Sequence, residues 1–293
     1  STLADWVGRI GFSLQVLVDR LVAILRQRAV LHADETPVQQ LDPKAKLGGT
    51  KKAYLWAYRS NTLDGKDPIV VFDYQTSRAG QHARDFLLHW QGHLVVDDYA
   101  GYKALFNGKV TEVGCWAHVR RKFLELHVAN QSPMAAEALR RIGLLYEIEQ
   151  RGKALAVTER QVLRQAESVP VLSSLHDWLI EQVRVIAPNS GMAKALSHAI
   201  KRWSSLVVYA QSGDIPIDNN PVENCIRPIA LGKKNWLFAG SERAGCRAAA
   251  IQSLLATAKL NGLEPLAWLT STLEKLPTWP NSRIDELLPL RSS

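Results

Sequence analysis

From Asn130 to about Gln211 the sequence carries no strand pattern, and this stretch limits what the rest of the chain can be. Leu, Ala, Glu and Arg dominate it, as in Ala135-Ala-Glu-Ala-Leu-Arg-Arg141 and in Leu155 to Glu167. Pro170 and Pro188 divide it into separate helices. Any sheet must therefore be built from the residues before Asn130, with the long helical stretch as an insertion.

Those earlier residues alternate in the way a sheet requires. Residues 3–28 read as an amphipathic helix, with Leu14, Leu17, Leu21, Ile24 and Leu25 at helical spacing. Val30 to Thr36 reads as a strand stopped by Pro37, with Asp34 and Glu35 on opposite faces. Residues 42–52 form a basic, Gly-containing loop. Ala53 to Tyr58 and Ile69 to Tyr74 are further strands, separated by a turn at Asp64-Gly65, so an antiparallel meander is expected. A helix over 79–90 leads to His93-Leu-Val-Val96, which ends in Asp97-Asp98-Tyr99. Acids at the carboxyl end of a strand in an α/β sheet lie where ligands bind. A short helix, Gly101 to Phe106, and a fifth strand, Val110 to Trp116, follow. The helix His118 to Val128 then opens on Arg120, Arg121 and Lys122. The expected class is α/β: a mixed five-stranded sheet flanked by helices, interrupted by an all-helical insertion.

After the insertion, Asp218-Asn-Asn220 reads as a loop, and Pro221 suits the first position of a helix. Glu223 then lies in the first turn, and Arg227 shares its face. One reading is local, with Asn220 as a cap and Glu223 closing a loose capping box. The other is chemical: Asp34, Asp97 and Glu223 sit on a strand, at a strand end and on a late helix. If the fold brings them together, three carboxylates repel one another unless cations sit among them. Mg²⁺ prefers oxygen ligands. Two such ions about 4 Å apart activate a water and stabilise the leaving oxygen of a phosphodiester. Ala248 to Asn261 is an apolar helix ended by Gly262, Pro265 to Leu276 is another, and the Pro- and Ser-rich end reads as a tail.

Composition agrees with a polyanionic partner. The 293 residues carry a formal charge of +8, and 46% of them are hydrophobic, ample for one large domain or two smaller ones. No apolar run is long enough to span a membrane, and no signal peptide is visible. Three cysteines without a Cys-x-x-Cys pair fit a reducing cytoplasm. The chain begins with Ser, so we expect a piece of a longer protein.

Six strings decide the resemblance: His32-Ala-Asp-Glu-Thr-Pro37, Val96-Asp-Asp-Tyr-Ala-Gly-Tyr102, Cys115-Trp-Ala-His-Val-Arg-Arg-Lys-Phe123, Asn219-Asn-Pro-Val-Glu-Asn-Cys-Ile-Arg-Pro228, Trp236-Leu-Phe-Ala-Gly-Ser241 and Thr257-Ala-Lys-Leu-Asn-Gly262. In this order they closely resemble the transposase of the insertion sequence 66 family, over nearly the whole chain. The resemblance implies a ribonuclease-H-like catalytic domain with an Asp-Asp-Glu triad on Asp34, Asp97 and Glu223. These would hold two Mg²⁺ ions, with Mn²⁺ able to substitute, and Asp34 would bridge both. The implied reaction is cleavage at element ends and transfer of the freed 3′-OH into target DNA. The family has Asp-Gly-Tyr where this chain has Asp97-Asp98-Tyr99, so Asp98 is the alternative ligand. Cys115-x-x-His118 is similar to a string that many transposases carry after the second Asp; it reads equally as a buried Cys and a packing His. The N-terminal part that full-length relatives use to read element ends is expected to be missing.

The resemblance divides the chain into a linker helix (1–29), the first part of the core (30–129), the insertion (130–211), the last core helices (212–276) and a tail (277–293). Arg120, Arg121, Lys122, Arg227, Lys233, Lys234 and Trp236 are the expected DNA contacts, although a charge run on a helix also reads as a solvated face. Trp178 and Trp203 in the insertion are either core residues or platforms for a flipped base. The implied partners are element ends and target DNA, further copies of the chain on DNA, and accessory proteins of the element. The implied location is a bacterial cytoplasm, at the nucleoid when DNA is bound. Two rivals stay open: a non-catalytic regulator that binds DNA or dimerises, and a metal-dependent, structure-specific nuclease.

Overall fold

Three strands form the expected antiparallel meander: β1 (Val30–Leu41), β2 (Thr50–Ser60) and β3 (Val70–Gln75). With β4 (Gly92–Val96) and β5 (Val110–Gly114) they make a mixed five-stranded sheet in the order β3-β2-β1-β4-β5. The computed structural model describes residues 2–44, 49–236 and 239–291, without the side chains of 2–5, 7 and 233–236. The chain divides into two compact units. Unit one comprises Ser1–Gly92, Tyr99–Val110 and Pro221–Ser293; unit two comprises His93–Asp98 and Thr111–Asn220.

Two local expectations are corrected. Pro37 does not stop the first strand, which runs on to Leu41 in unbroken register, Pro37 opposite Tyr54 and Leu41 opposite Thr50. Proline's fixed φ suits extended backbone, and its cost to a sheet is one ladder donor rather than the conformation. The first helix is also two: α1 (Thr2–Ser13) and α2 (Gln15–Leu25) meet at Leu14. Leu14 is completely buried. There the Leu17 N–H bonds back to the Leu14 carbonyl, a tighter turn than the α-helix allows.

In unit one the alternation of β1 and β2 separates two faces. On one face Val38, Leu55, Ala57 and Phe72 pack with Val222, Ile226 and Ile229 of α10 (Asn220–Trp236), and with Ala249 of α11 (Glu242–Leu260). The α10 residues are spaced by four and three, so they form one apolar stripe. On the other face Tyr58 stacks on Phe86 of α3 (Gln81–Leu87), ring centroids 3.8 Å apart, and Trp56 meets Tyr102 edge-on at 5.7 Å. Tyr102 belongs to the 3-10 helix Ala100–Leu105.

The edge of the sheet is closed by side chains of α11. Ser253 accepts the Phe72 N–H at 2.8 Å, and Thr257 accepts the Val70 N–H at 3.1 Å while donating to the Val70 carbonyl at 3.0 Å. One turn later Asn261 donates to the carbonyls of Pro68 and Pro289. Spacing of four brings the three residues to one face of α11, where they satisfy an edge strand that would otherwise stay open. Gly245 on the same helix is required by contact: a Cβ there would lie 2.5 Å from the Tyr74 ring. α12 (Pro265–Lys275) follows, its first N–H groups capped by Glu264.

Unit two is largely helical: α4 (Trp116–Asn130), α5 (Pro133–Gly152), α6 (Val157–Leu163), α7 (Val169–Val185), α8 (Gly191–Lys201) and α9 (Trp203–Leu206). Ser132 and Ser190 cap α5 and α8, Pro170 falls in the first turn of α7, and Pro188 follows its end. The prolines thus divide the insertion as the sequence predicts. A π-helical turn, Arg164–Ser168, joins α6 to α7. In it Arg164 is fully buried, paired with Glu149 and bonded to the carbonyls of Tyr209, Ser212 and Ile215.

Candidate active site

Asp34 lies on β1 opposite Ala57 of β2, and its Oδ1 accepts the Glu35 N–H at 2.8 Å. Four residues before Val38, it shares the face of β1 on which α10 packs. Glu223 is half-buried in the first turn of α10, next to Val222 of the apolar stripe. Within unit one, therefore, Asp34 and the helix that carries Glu223 occupy the same side of the sheet.

Glu35 faces the other way and is engaged in structure. Its carboxylate accepts the Arg78 Nε–H at 2.8 Å and the Tyr102 hydroxyl at 2.7 Å. Arg78 lies over the Tyr99 ring, 3.8 Å from its centroid, and Tyr99 donates to the Arg78 carbonyl. Burial, then the Glu35 charge, push the Tyr102 phenol far above its ordinary range, so it remains a donor. Tyr99 and Tyr102 thus tie the 3-10 turn that they flank and enter to the back of β1, all within unit one.

In unit two, Asp97 follows β4 and is partly exposed. Its neighbour Asp98 pairs with Arg202 at 3.2 Å, and Arg202 also pairs with Glu112 of β5 and donates to the Asp97 carbonyl. His198 Nδ1 lies 3.7 Å from Asp98. Burial, with the cations Lys122 and Arg202 nearby, lowers His198 to about 4 despite Asp98. Arg202, His198 and Glu112 were not expected from sequence, where nothing marks residues at such separation as partners. Arg202, itself held by Glu112, anchors Asp98.

Cys115 is buried at the start of α4, and its Sγ accepts the Asn219 N–H at 3.2 Å. The Trp116 N–H bonds to the Ile217 carbonyl at 3.2 Å. The Cys-x-x-His string therefore holds the loop that leads into α10, and His118 is half-buried one turn in. In that loop Asp218 Oδ1 accepts the Asn220 N–H at 3.1 Å, and Oδ2 accepts the Tyr146 hydroxyl at 3.0 Å and the Asn220 side-chain amide at 2.9 Å. Asp218, rather than Asn220, is the side chain that organises the turn.

Arg120, Arg121 and Lys122 are exposed on α4, and Arg227 is exposed on α10. The side chains of Lys233, Lys234 and Trp236 lie outside the described residues. Trp203 packs edge-on against Trp116 with ring centroids 5.7 Å apart, and Arg141 lies over Trp178 at 5.3 Å. Both tryptophans have partners within unit two.

Two family models match the chain: the Transposase IS66 family over residues 1–247, and the IS66 C-terminal element over residues 253–290. The chain belongs to the IS66 transposase family. Among its relatives are two proteins of Sinorhizobium fredii (strain NBRC 101917 / NGR234), each named as uncharacterized. The chain is 35% identical to y4qI over 301 residues, covering 99% of the chain and 56% of y4qI. It is 32% identical to y4hP over 311 residues, covering 99% of the chain and 55% of y4hP. A third similarity, to the uncharacterized protein YjgZ of Escherichia coli (strain K12), is 64% identity over 28 residues. The chain thus spans little more than half the length of the two Sinorhizobium relatives it matches throughout.

Proposed function

We propose that this chain is the catalytic part of an IS66-family DNA transposase, with a ribonuclease-H-like core and a site formed by Asp34, Asp97 and Glu223. The observation that carries the reading is the common side of the sheet occupied by Asp34 and the Glu223 helix, within a chain of transposase family. A meander followed by two further strands suits the ribonuclease-H-like assignment. The donor chemistry fits Mg²⁺ or Mn²⁺: carboxylate oxygens, partly buried, with Asp98 and Glu35 held apart by their own cations.

When bound, such ions supply Lewis acidity at a phosphodiester. The chain does the rest. The rigid β1 and the first turn of α10 fix the directions of Asp34 and Glu223. Arg202 fixes the turn that carries Asp97. Arg120, Arg121, Lys122 and Arg227, with Lys233, Lys234 and Trp236, supply the positive surface and stacking group for DNA. The reaction assigned is strand cleavage at element ends, then attack of the freed 3′-OH on target DNA. Partners are further copies of the chain on DNA and accessory proteins of the element, at the bacterial nucleoid.

The test is Mn²⁺ binding followed by electron paramagnetic resonance. The wild type is expected to bind, and Asp34→Asn, Asp97→Asn and Glu223→Gln each to weaken binding by at least about tenfold, the equivalent of ~1.4 kcal/mol. Unchanged binding in all three variants would overturn the site. Absence of binding in the wild type would favour the regulator, a DNA-binding or dimerising protein without turnover.

A further inference from the structure

The basic run on α4 is divided by helical spacing. Ala117, Arg120, Arg121 and Leu124 recur at intervals of three and four and so share one face, from which Lys122 is excluded. That face, Gly143 and Tyr146 of α5, and Asn220 line an open cavity of about 490 Å³, wholly within unit two. Its volume falls in the roughly 300–1,000 Å³ range of sites for small ligands.

The lining has a definite chemistry. Two guanidinium groups suit a phosphate, which they bind through paired N–H donors. Ala117, Leu124 and the bare backbone at Gly143 offer an apolar wall. Tyr146 and Asn220 are already fixed by the same Asp218 carboxylate, so the polar rim is set before a ligand arrives. Gly143 lies inside α5, where glycine costs about 1 kcal/mol relative to alanine. A Cβ built there meets nothing within 4 Å, so the glycine leaves the space open.

We propose that this cavity receives one nucleotide of a DNA strand turned out of its duplex. Its phosphate would lie on Arg120 and Arg121 and its base against the wall formed by Ala117, Leu124 and Gly143. An intact duplex presents a convex backbone and would lie across such a concavity without filling it. Turning a nucleotide out costs a few kcal/mol in a paired duplex and least where the strand is already single. The proposal rests on the reading of the chain as DNA-acting, but not on the three carboxylates.

The experiment is fluorescence anisotropy in the presence of EDTA, comparing a blunt duplex with the same duplex carrying a short single-stranded overhang. Without metal, failure of the catalytic site does not affect the result. The wild type is expected to prefer the overhang by about tenfold. Gly143→Leu, which fills the cavity, should bring the ratio of the two affinities to about one. Leu124→Glu changes a side chain that is 38% exposed and should do the same without disturbing the core. Arg120→Ala should lower the salt dependence of overhang binding by about one unit in the log–log slope. Equal affinity of the wild type for both duplexes would overturn the proposal, as would a preference that survives both cavity variants. Displacement of the overhang by deoxynucleoside monophosphate at far lower concentration than by the oligonucleotide would overturn it in favour of a free nucleotide.

Discussion

Glu35 and Asp98, the acids next to Asp34 and Asp97, each meet a cationic side chain. Glu35 is neutralised by Arg78 and held by a buried tyrosine, and Asp98 is paired with Arg202. The opposite directions of Asp34 and Glu35 were legible because the strand pattern that starts at Val30 sends alternate residues to opposite faces. The role of Asp98 was not legible, because its partner Arg202 lies at the far end of the insertion. His198 beside that pair gives a pH signature. Its folded value of about 4 lies below the unfolded value of roughly 6.5, so the unfolded chain takes up a proton that the folded one refuses. Stability is therefore full above about pH 6.5 and falls as the pH drops toward 4, by roughly 3 kcal/mol at most. Urea unfolding at a series of pH values should show this slope in the wild type and a flatter one in His198→Gln. The same slope in both would place the proton elsewhere.

At the scale of elements, the strands were readable because alternation of apolar residues directly reports which face is buried. Pro37 misled because a breaker was read as a stop, whereas extended backbone accommodates proline and the β1 register continues past it. The broken first helix was invisible because the apolar spacing runs through Leu14. α11 read as an apolar helix, but its Ser253, Thr257 and Asn261 form a polar stripe that completes the sheet edge. Nothing in the local sequence distinguishes a hydroxyl that caps a strand from one that faces water. Thr257→Val keeps the shape and leaves the Val70 N–H and carbonyl without this partner. The expected loss is about 1–3 kcal/mol by chemical denaturation, and a change within about 0.5 kcal/mol would show that the edge does not depend on this hydroxyl.

At the scale of the molecule, the α/β class and the helical character of the long stretch after the strands were legible, since a stretch without strand pattern between strands and a late helix has few arrangements. The chain carries +8 overall, and among the described residues no helix is long and apolar enough to cross a membrane. The cavity between α4 and α5 was not legible, because it depends on how two helices meet and on a glycine that resembles any other in the sequence. The loop before α10 was only half legible: Asp218-Asn-Asn220 announced a turn, but its ties to Tyr146 and Cys115 join residues far apart in the chain. Asp34, Asp97 and Glu223 are proposed to act together on DNA. The most direct measurement is Mn²⁺-dependent nicking of supercoiled plasmid by the full chain, beside Asp34→Asn, Asp97→Asn, Glu223→Gln and Asp98→Asn. Several kcal/mol of charge stabilisation at the reacting phosphate depends on the metal ligands, so losing one should slow nicking by at least about 100-fold. That loss is expected in the first three variants, with a change below about tenfold in Asp98→Asn; nicking at the wild-type rate in any of the first three would show that the three acids do not act together on DNA.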